Sequence, residues 1–225
     1  MRRDDLLSGE LRILGRITDA SNATLLAEIE SEKVVYKPIA GERPLWDFPS
    51  GNLASREYAA YLVSEELGFN IVPPTVLREG PYGPGMVQLW CEPDEEIDVV
   101  QFSQSDNSLI RAMTLFDVVI NNGDRKFGHI LPISMGELKG CDHGVTFNVE
   151  NKLRTVLWQY AGSPFHESEV ALLKRAAELF AGDLFEELIS PEERSASIER
   201  IHELIEVGCF PFPSEEWPAI PWPPF

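Results

Sequence analysis

The sequence predicts an α+β protein in two lobes, a small β-rich front half and a mostly helical back half. Three observations carry that expectation. Short apolar runs broken by turn residues fill the chain up to Trp90, with one long helical pattern among them. The segment Cys91-Glu92-Pro93-Asp94-Glu95-Glu96 is an acidic linker at which the composition shifts. Beyond it, apolar residues recur at helical spacing. A chain of 225 residues is long enough to bury a sizeable core in one large domain or two small lobes.

In the front half, residues 11–29 read as two strands. Leu11, Ile13 and Ile17 stand on one side of a turn, and Leu25, Leu26, Ala27 and Ile29 on the other. The connection Asp19-Ala20-Ser21-Asn22-Ala23-Thr24 is small and polar, as a turn requires. A third strand over 33–38 ends at Pro38, which has no N–H to continue a ladder. Residues 41–52 form a loop rich in Gly, Pro and aromatic residues. Residues 54–67 are the clearest helix: Ala59, Leu62, Val63 and Leu67 fall on one face, Asn52 or Ser55 can cap it, and Gly68 ends it. Strands follow at 71–78 and 85–90, around the turn Gly80-Pro81-Tyr82-Gly83-Pro84.

The back half admits two readings at its start. Leu115 to Ile120 is a β-forming run, yet Ile110, Met113, Leu115, Phe116 and Val119 make a helical stripe over 109–121. Helices are expected at 167–181, 184–189 and 191–208. Ser190-Pro191-Glu192-Glu193 is a good helix start, with Pro at the first helical position. The final segment, 210–225, is too rich in proline to be helical. It either lays its aromatic rings over its own domain or offers a polyproline segment to a partner. The expected organisation is a front lobe at 8–91, a back lobe at 92–209 and a tail at 210–225.

The net charge of −18 bears on partners. Such a surface repels nucleic-acid phosphates and anionic lipid headgroups, so neither polymer nor membrane is an expected partner. No apolar run reaches the roughly 20 residues that span a bilayer. The charged start Met1-Arg2-Arg3-Asp4-Asp5 is not followed by the apolar core of a signal peptide, which points to the cytoplasm. Cys91, Cys141 and Cys209 include no CxxC pair and are expected as free thiols.

Two acidic turns carry the candidate chemistry. Asn122-Gly123-Asp124-Arg125-Lys126-Phe127-Gly128-His129 and Cys141-Asp142-His143-Gly144 each place an Asp on a loop bordering one hairpin. Phosphoryl transfer needs one carboxylate to orient or deprotonate the attacking hydroxyl and a second to hold the metal on the nucleotide phosphates. Upstream, the strand Val34-Val35-Tyr36-Lys37-Pro38 supplies a cation for phosphates, and the helix supplies Glu57 to hold that cation as an ion pair. Hairpin, strand with Lys, helix with Glu, two strands and linker is the order of a kinase amino-terminal lobe. The expectation is therefore a protein-kinase-like bilobal fold.

Lys37-Pro38, Leu53-Ala54-Ser55-Arg56-Glu57-Tyr58-Ala59-Ala60-Tyr61-Leu62-Val63 and Asn70-Ile71-Val72-Pro73-Pro74-Thr75 resemble the phosphatidylinositol 3- and 4-kinase superfamily, most closely its type II 4-kinase-like branch. Gly123-Asp124-Arg125 with His129-Ile130-Leu131 is similar to that superfamily's catalytic loop, and Asp142-His143-Gly144 to its metal-binding motif. The match continues through Val156-Leu157-Trp158 and 161–165. An actinobacterial subgroup of the superfamily resembles the whole chain, including the tail Ile220-Pro221-Trp222-Pro223-Pro224-Phe225.

The resemblance implies an ATP site between two lobes. Ser21, Asn22, Ala23 and Thr24 would form the turn over the phosphates, although no GxGxxG is present. Lys37, held by Glu57, would bind phosphates. Gln88, Leu89, Trp90 and Cys91 would face the adenine through backbone groups. Asp124 would orient the acceptor hydroxyl, with Arg125 supporting the loop or the phosphate. Asp142 would bind Mg²⁺. The family usually has Asn five residues after the catalytic Asp; His129 stands there instead, and as a metal ligand it would favour Mn²⁺.

Two functions follow from different classes. The first is an ATP-dependent transfer of the γ-phosphoryl group to a hydroxyl acceptor, a protein or small molecule rather than a lipid. The chain lacks the cysteine-rich insertion of the type II lipid kinases. The second is a nucleotide-binding pseudokinase or scaffold, suggested by His129 and the plain phosphate turn. A third, transfer of the nucleotide itself to protein, would use the same site.

Overall fold

One strand exchange separates the front-half sheet from simple chain order. The computed structural model describes residues 3–17, 22–49 and 51–225. A short helix α1 (Arg3–Ser8) precedes strands β1 (Arg12–Arg16), β2 (Leu25–Ile29) and β3 (Glu32–Pro38). After helix α2 (Leu53–Glu66) come β4 (Thr75–Gly80) and β5 (Gly83–Leu89). The five strands form an antiparallel sheet in the order β1-β2-β3-β5-β4, so β3 is central and Lys37 lies opposite Met86. Of the turn expected between 18 and 24, Ser21 lies outside the described residues.

β4 begins later than the pattern suggested. Pro73 and Pro74 have no N–H for a ladder, so pairing starts at Thr75. Asn52 rather than Ser55 caps α2, accepting a hydrogen bond from the Ser55 N–H, and Gly68 follows the helix at φ +78°.

The back half contains α3 (Val99–Ser103), α4 (Ser108–Val119), the hairpin β6 (Ile130–Ser134) and β7 (Glu137–Gly140), then α5 (Glu167–Ala181) and α6 (Pro191–Val207). The β-forming run 115–120 is helix. Asn107 caps α4, and Ile110, Met113, Leu115, Phe116, Val118 and Val119 are all buried. A segment apolar on every side favours neither period in the sequence, and burial around its whole circumference resolved it as helix. The helix expected at 184–189 is a single 3₁₀ turn, Asp183–Phe185. Gly182 ends α5 and Ser190 caps α6, which leaves no room for a further capped α-helix.

Two separate cores hold the chain. Leu6, Leu11, Ala27, Ile29, Val34, Tyr36, Val76 and Val87 pack under the sheet. A larger core unites the back-half helices with Ala59, Ala60, Tyr61, Leu62 and Val63 of α2. The helix carrying Glu57 therefore belongs to the back-half core, whereas the strand carrying Lys37 belongs to the sheet.

The carboxy-terminal segment runs along the back half. Phe210 is buried, Thr155 N–H and Trp158 Nε1 both donate to the Ala219 carbonyl, and Phe127 N–H donates to the Pro224 carbonyl. The Phe225 ring lies 5.2 Å from that of Phe127, while Phe212 and Trp222 remain exposed. Cys91, Cys141 and Cys209 are free. Among the described residues, no helix is long and apolar enough to cross a membrane.

Candidate active site

Lys37 marks the meeting point of the two halves. From β3 its ammonium donates both to Glu57 on α2 and to Asp142 on the loop after β7. The Lys37 and Glu57 side chains are largely buried, and the Asp142 side chain is half-exposed. Burial opposes the charge on Lys37, but Asp142 and Glu57 outweigh it and push its pKa up. The same ammonium holds the Asp142 carboxyl well below the usual carboxylate range. Burial pushes Glu57 up against the pull of Lys37, and its second oxygen accepts the His143 N–H at 3.1 Å.

The Asp142 backbone sits at φ +61°, a conformation that costs free energy for a residue with a side chain and is tolerated best by Asn and Asp. His143 next to it is fully buried, and its Nε2 accepts from Arg125 at 2.8 Å. Burial and the Arg125 charge keep this imidazole neutral. Cys141 is no candidate nucleophile, since burial raises its thiol to about 12.

Asp124 faces the same cavity. Asn22, Ala23, Thr24, Lys37, Glu42, Glu57, Asp124, Asp142, Gly144 and Val145 are among its lining residues. Asn122 fixes the Asp124 loop by accepting the Asp124 N–H at 3.0 Å. Lys126 Nζ lies 3.2 Å from Asp124 Oδ2.

His129 is aligned by a backbone group. Its Nδ1 is 2.8 Å from the Asp124 carbonyl, an acceptor, so Nδ1 carries the proton. Its Nε2 then presents a lone pair 3.4 Å from Asp142 Oδ2. Burial lowers the His129 pKa, which favours the neutral ring. Two acceptor atoms with no proton between them fit a shared divalent cation. Among the described residues, no group of three or more His, Cys, Asp or Glu side chains is gathered for a metal.

The other sequence candidates lie elsewhere. Arg125 is fully buried and does not line the cavity. Its guanidinium forks onto Asp117 (2.7 and 2.9 Å) and donates to the His129 carbonyl at 3.1 Å, so it braces the loop and not a phosphate. Gln88, Leu89 and Trp90 also lie outside the cavity lining. The Gln88 side chain donates to Thr75, and the Leu89 and Trp90 N–H groups donate to the Pro74 and Lys33 carbonyls.

Sequence reasoning missed three residues. Asp117, a lone carboxylate in the apolar stripe of α4, carries Arg125; that isolation was the available signal. Asn122 was read only as part of a turn. Glu42 accepts the Leu53 and Ala54 N–H groups at 2.8 Å, capping α2 with a carboxylate on the cavity wall. Nothing around it in the sequence distinguishes it.

The chain has a bilobal, protein-kinase-like α+β fold. It superposes on a crystal structure of the Golgi casein kinase with Mn/ADP bound at a TM-score of 0.59, with 14% identity over 91% of this chain and 74% of that one. Hydra Fam20, solved with sugar, matches at a TM-score of 0.56, with 13% identity over 91% and 86% of the two chains. No protein-family model matches the chain. In sequence it is 42% identical over 269 aligned positions to Protein Rv2133c of Mycobacterium tuberculosis, covering 99% of this chain and 96% of that one. It belongs to the same family as that protein.

Proposed function

We propose that this protein is an ATP-dependent phosphotransferase that moves the γ-phosphoryl group to a hydroxyl acceptor. The observation that carries the proposal is the ammonium of Lys37, shared between Glu57 and Asp142 on the wall of a cavity that also holds Asp124. A cation from one lobe and two carboxylates from the other are the charges that an in-line phosphoryl transfer uses.

In this reading Lys37 binds phosphate oxygens and Glu57 keeps it in place. The turn from Ser21 through Asn22 to Thr24 covers the phosphates, and the backbone near Cys91 meets the adenine. The acceptor hydroxyl oxygen bonds to the γ-phosphorus, the bond to the bridging oxygen breaks and ADP leaves. Asp124 takes the hydroxyl proton. Asp142 and His129 would hold a divalent ion, Mg²⁺ or Mn²⁺, which when bound neutralises phosphate charge. Arg125 is a positioning residue. The motif order favours a place in the phosphatidylinositol 3- and 4-kinase-like superfamily, with lobes at 8–91 and 92–209 and the tail at 210–225. The charge of −18 favours a protein or small-molecule acceptor in the cytoplasm over a lipid.

A second reading, a nucleotide-binding pseudokinase or scaffold, is favoured by His129 in place of the usual Asn. Calorimetry with ATP and either metal, followed by an assay for labelled phosphate on added acceptors, tests both. Binding with transfer supports the kinase, and binding without transfer on any acceptor supports the pseudokinase. No binding by a folded protein overturns both.

A further inference from the structure

The loop after β3 and the segment after Asp142 each line two cavities in succession. Glu42 and Gly144 border the one containing Lys37, whereas Trp46, Asp47 and Glu150 border a second of about 460 Å³. Gly123, the residue before Asp124, is wedged between them. A Cβ on it would meet Val145 of the first wall at 3.1 Å and the Lys152 carbonyl of the second at 3.5 Å.

The second cavity already holds an ammonium of the chain's own. Lys152 Nζ lies 4.6 Å from the centre of the Trp46 ring and 4.2 Å from that of Trp217. It is also 3.2 Å from Asp47 Oδ2 and 2.9 Å from Glu150 Oε2. Indole faces and carboxylates together stabilise a desolvated cation. The cage stays open: Trp46 is 81% exposed and the Glu150 side chain 61%, so both can take a second cation from solvent. The adjoining start of α6 offers little to an anion, because the reciprocal Ser190–Glu193 capping bonds already occupy its first donors.

We propose that this cavity is the acceptor site, and that it takes a hydroxyl compound carrying an ammonium or guanidinium group beside the hydroxyl. The proposal rests on the phosphotransferase reading. The cation docks against Trp46 and Glu150, and the hydroxyl reaches past Gly123 towards Asp124. There its oxygen bonds to the γ-phosphorus, the γ-phosphorus–bridging-oxygen bond breaks to release ADP, and the proton passes to the Asp124 carboxylate. A basic peptide segment and an amino sugar share this chemistry.

The test supplies the full chain with ATP and Mn²⁺ and compares matched acceptors. One set is an oligopeptide with a serine flanked by arginines, by glutamines or by glutamates; the other is glucosamine against glucose. Cationic members are expected to be phosphorylated at least about tenfold faster at subsaturating concentration, the size of one cation–π and carboxylate contact. The set that reacts identifies the source. Trp46→Ala and Glu150→Gln are each expected to raise KM for the cationic acceptor about tenfold while kcat changes little; Glu150→Gln keeps the side-chain shape in case Trp46→Ala folds poorly. Equal rates for cationic, neutral and acidic members, or an unchanged KM in both variants, overturn the acceptor site while leaving the phosphotransferase reading intact. Absence of ATP binding by calorimetry overturns that reading, and the acceptor site with it.

Discussion

Arg56 and Glu193 form a buried ion pair between α2 and α6, with side chains only 1% and 8% exposed. Arg56 is the residue before Glu57, so the pair ties the helix presenting Glu57 to Lys37 directly to the back half. The Phe48 ring covers the guanidinium at 4.7 Å, and the Asn52 carbonyl accepts from it at 3.1 Å. Glu193 also closes the capping box of α6. The geometry holds α2 in the position in which Glu57 meets Lys37.

Glu193→Gln is therefore expected to destabilise the fold by about 3 kcal/mol or more, because it leaves a guanidinium in the core without its counter-charge. Replacing both partners with methionine should cost much less, since no buried charge remains. Urea unfolding of the two variants checks this; equal losses would contradict it.

Lys37→Met should lower kcat/KM by at least about 100-fold, since a charge contact to the transferring phosphates is worth several kcal/mol in a water-poor site. The variant also leaves buried Glu57 without its cation, so Glu57 should take up a proton. Steady-state kinetics and the pH dependence of nucleotide affinity read the two effects separately.

Asp142→Asn is expected to abolish metal-dependent nucleotide binding. In the native protein, ATP with Mn²⁺ at 100 times Kd should add about 2.7 kcal/mol of stability, and a chelator should remove most of it. In the variant, melting temperatures with and without chelator should coincide.

His129→Asn exchanges a nitrogen ligand for an oxygen one. The ratio of activity in Mg²⁺ to activity in Mn²⁺ should rise, because magnesium prefers oxygen. An unchanged ratio would mean that His129 does not touch the ion.

Glu169 offers a pH test away from the site. Burial works to raise its pKa, but the Arg111 fork, with both bonds at 2.7 Å, outweighs burial and lowers it. A carboxylate depressed in the folded state adds stability above its unfolded pKa of about 4.3 and loses it as pH falls through the folded value. Glu169→Gln should cost about 1–2 kcal/mol near neutrality. The gap from the native protein should close under acid conditions below about pH 4, as measured by unfolding at each pH.

Elements with strong local signals were legible in advance. The boundaries of α5 and the start of α6 follow from periodicity and from the Ser190-Pro191 cap. The strand bearing Lys37 is bounded by Pro38, and α2 by Asn52 and Gly68. The run 115–120 was ambiguous because a segment apolar on all faces carries no period to read. At the site, the charged residues stood out by type and order. Arg125 did not reveal that it turns inward, because an arginine in a polar turn looks the same whether it meets a ligand or a buried carboxylate. Asp117, its partner, lies eight residues earlier on a helix whose packing orients it.

The sequence alone determined which residues can carry charge chemistry and the order in which they occur, because propensity, caps and turns act over a few residues at a time. Only the tertiary structure decided that Lys37, Glu57, Asp124 and Asp142 share one cavity, that Arg125 and Glu193 serve as braces, and that Lys152 sits between two indoles. Those contacts join positions up to 105 residues apart for Lys37 and Asp142. Contacts of that range are set by how two separate hydrophobic cores pack together, which no local pattern encodes.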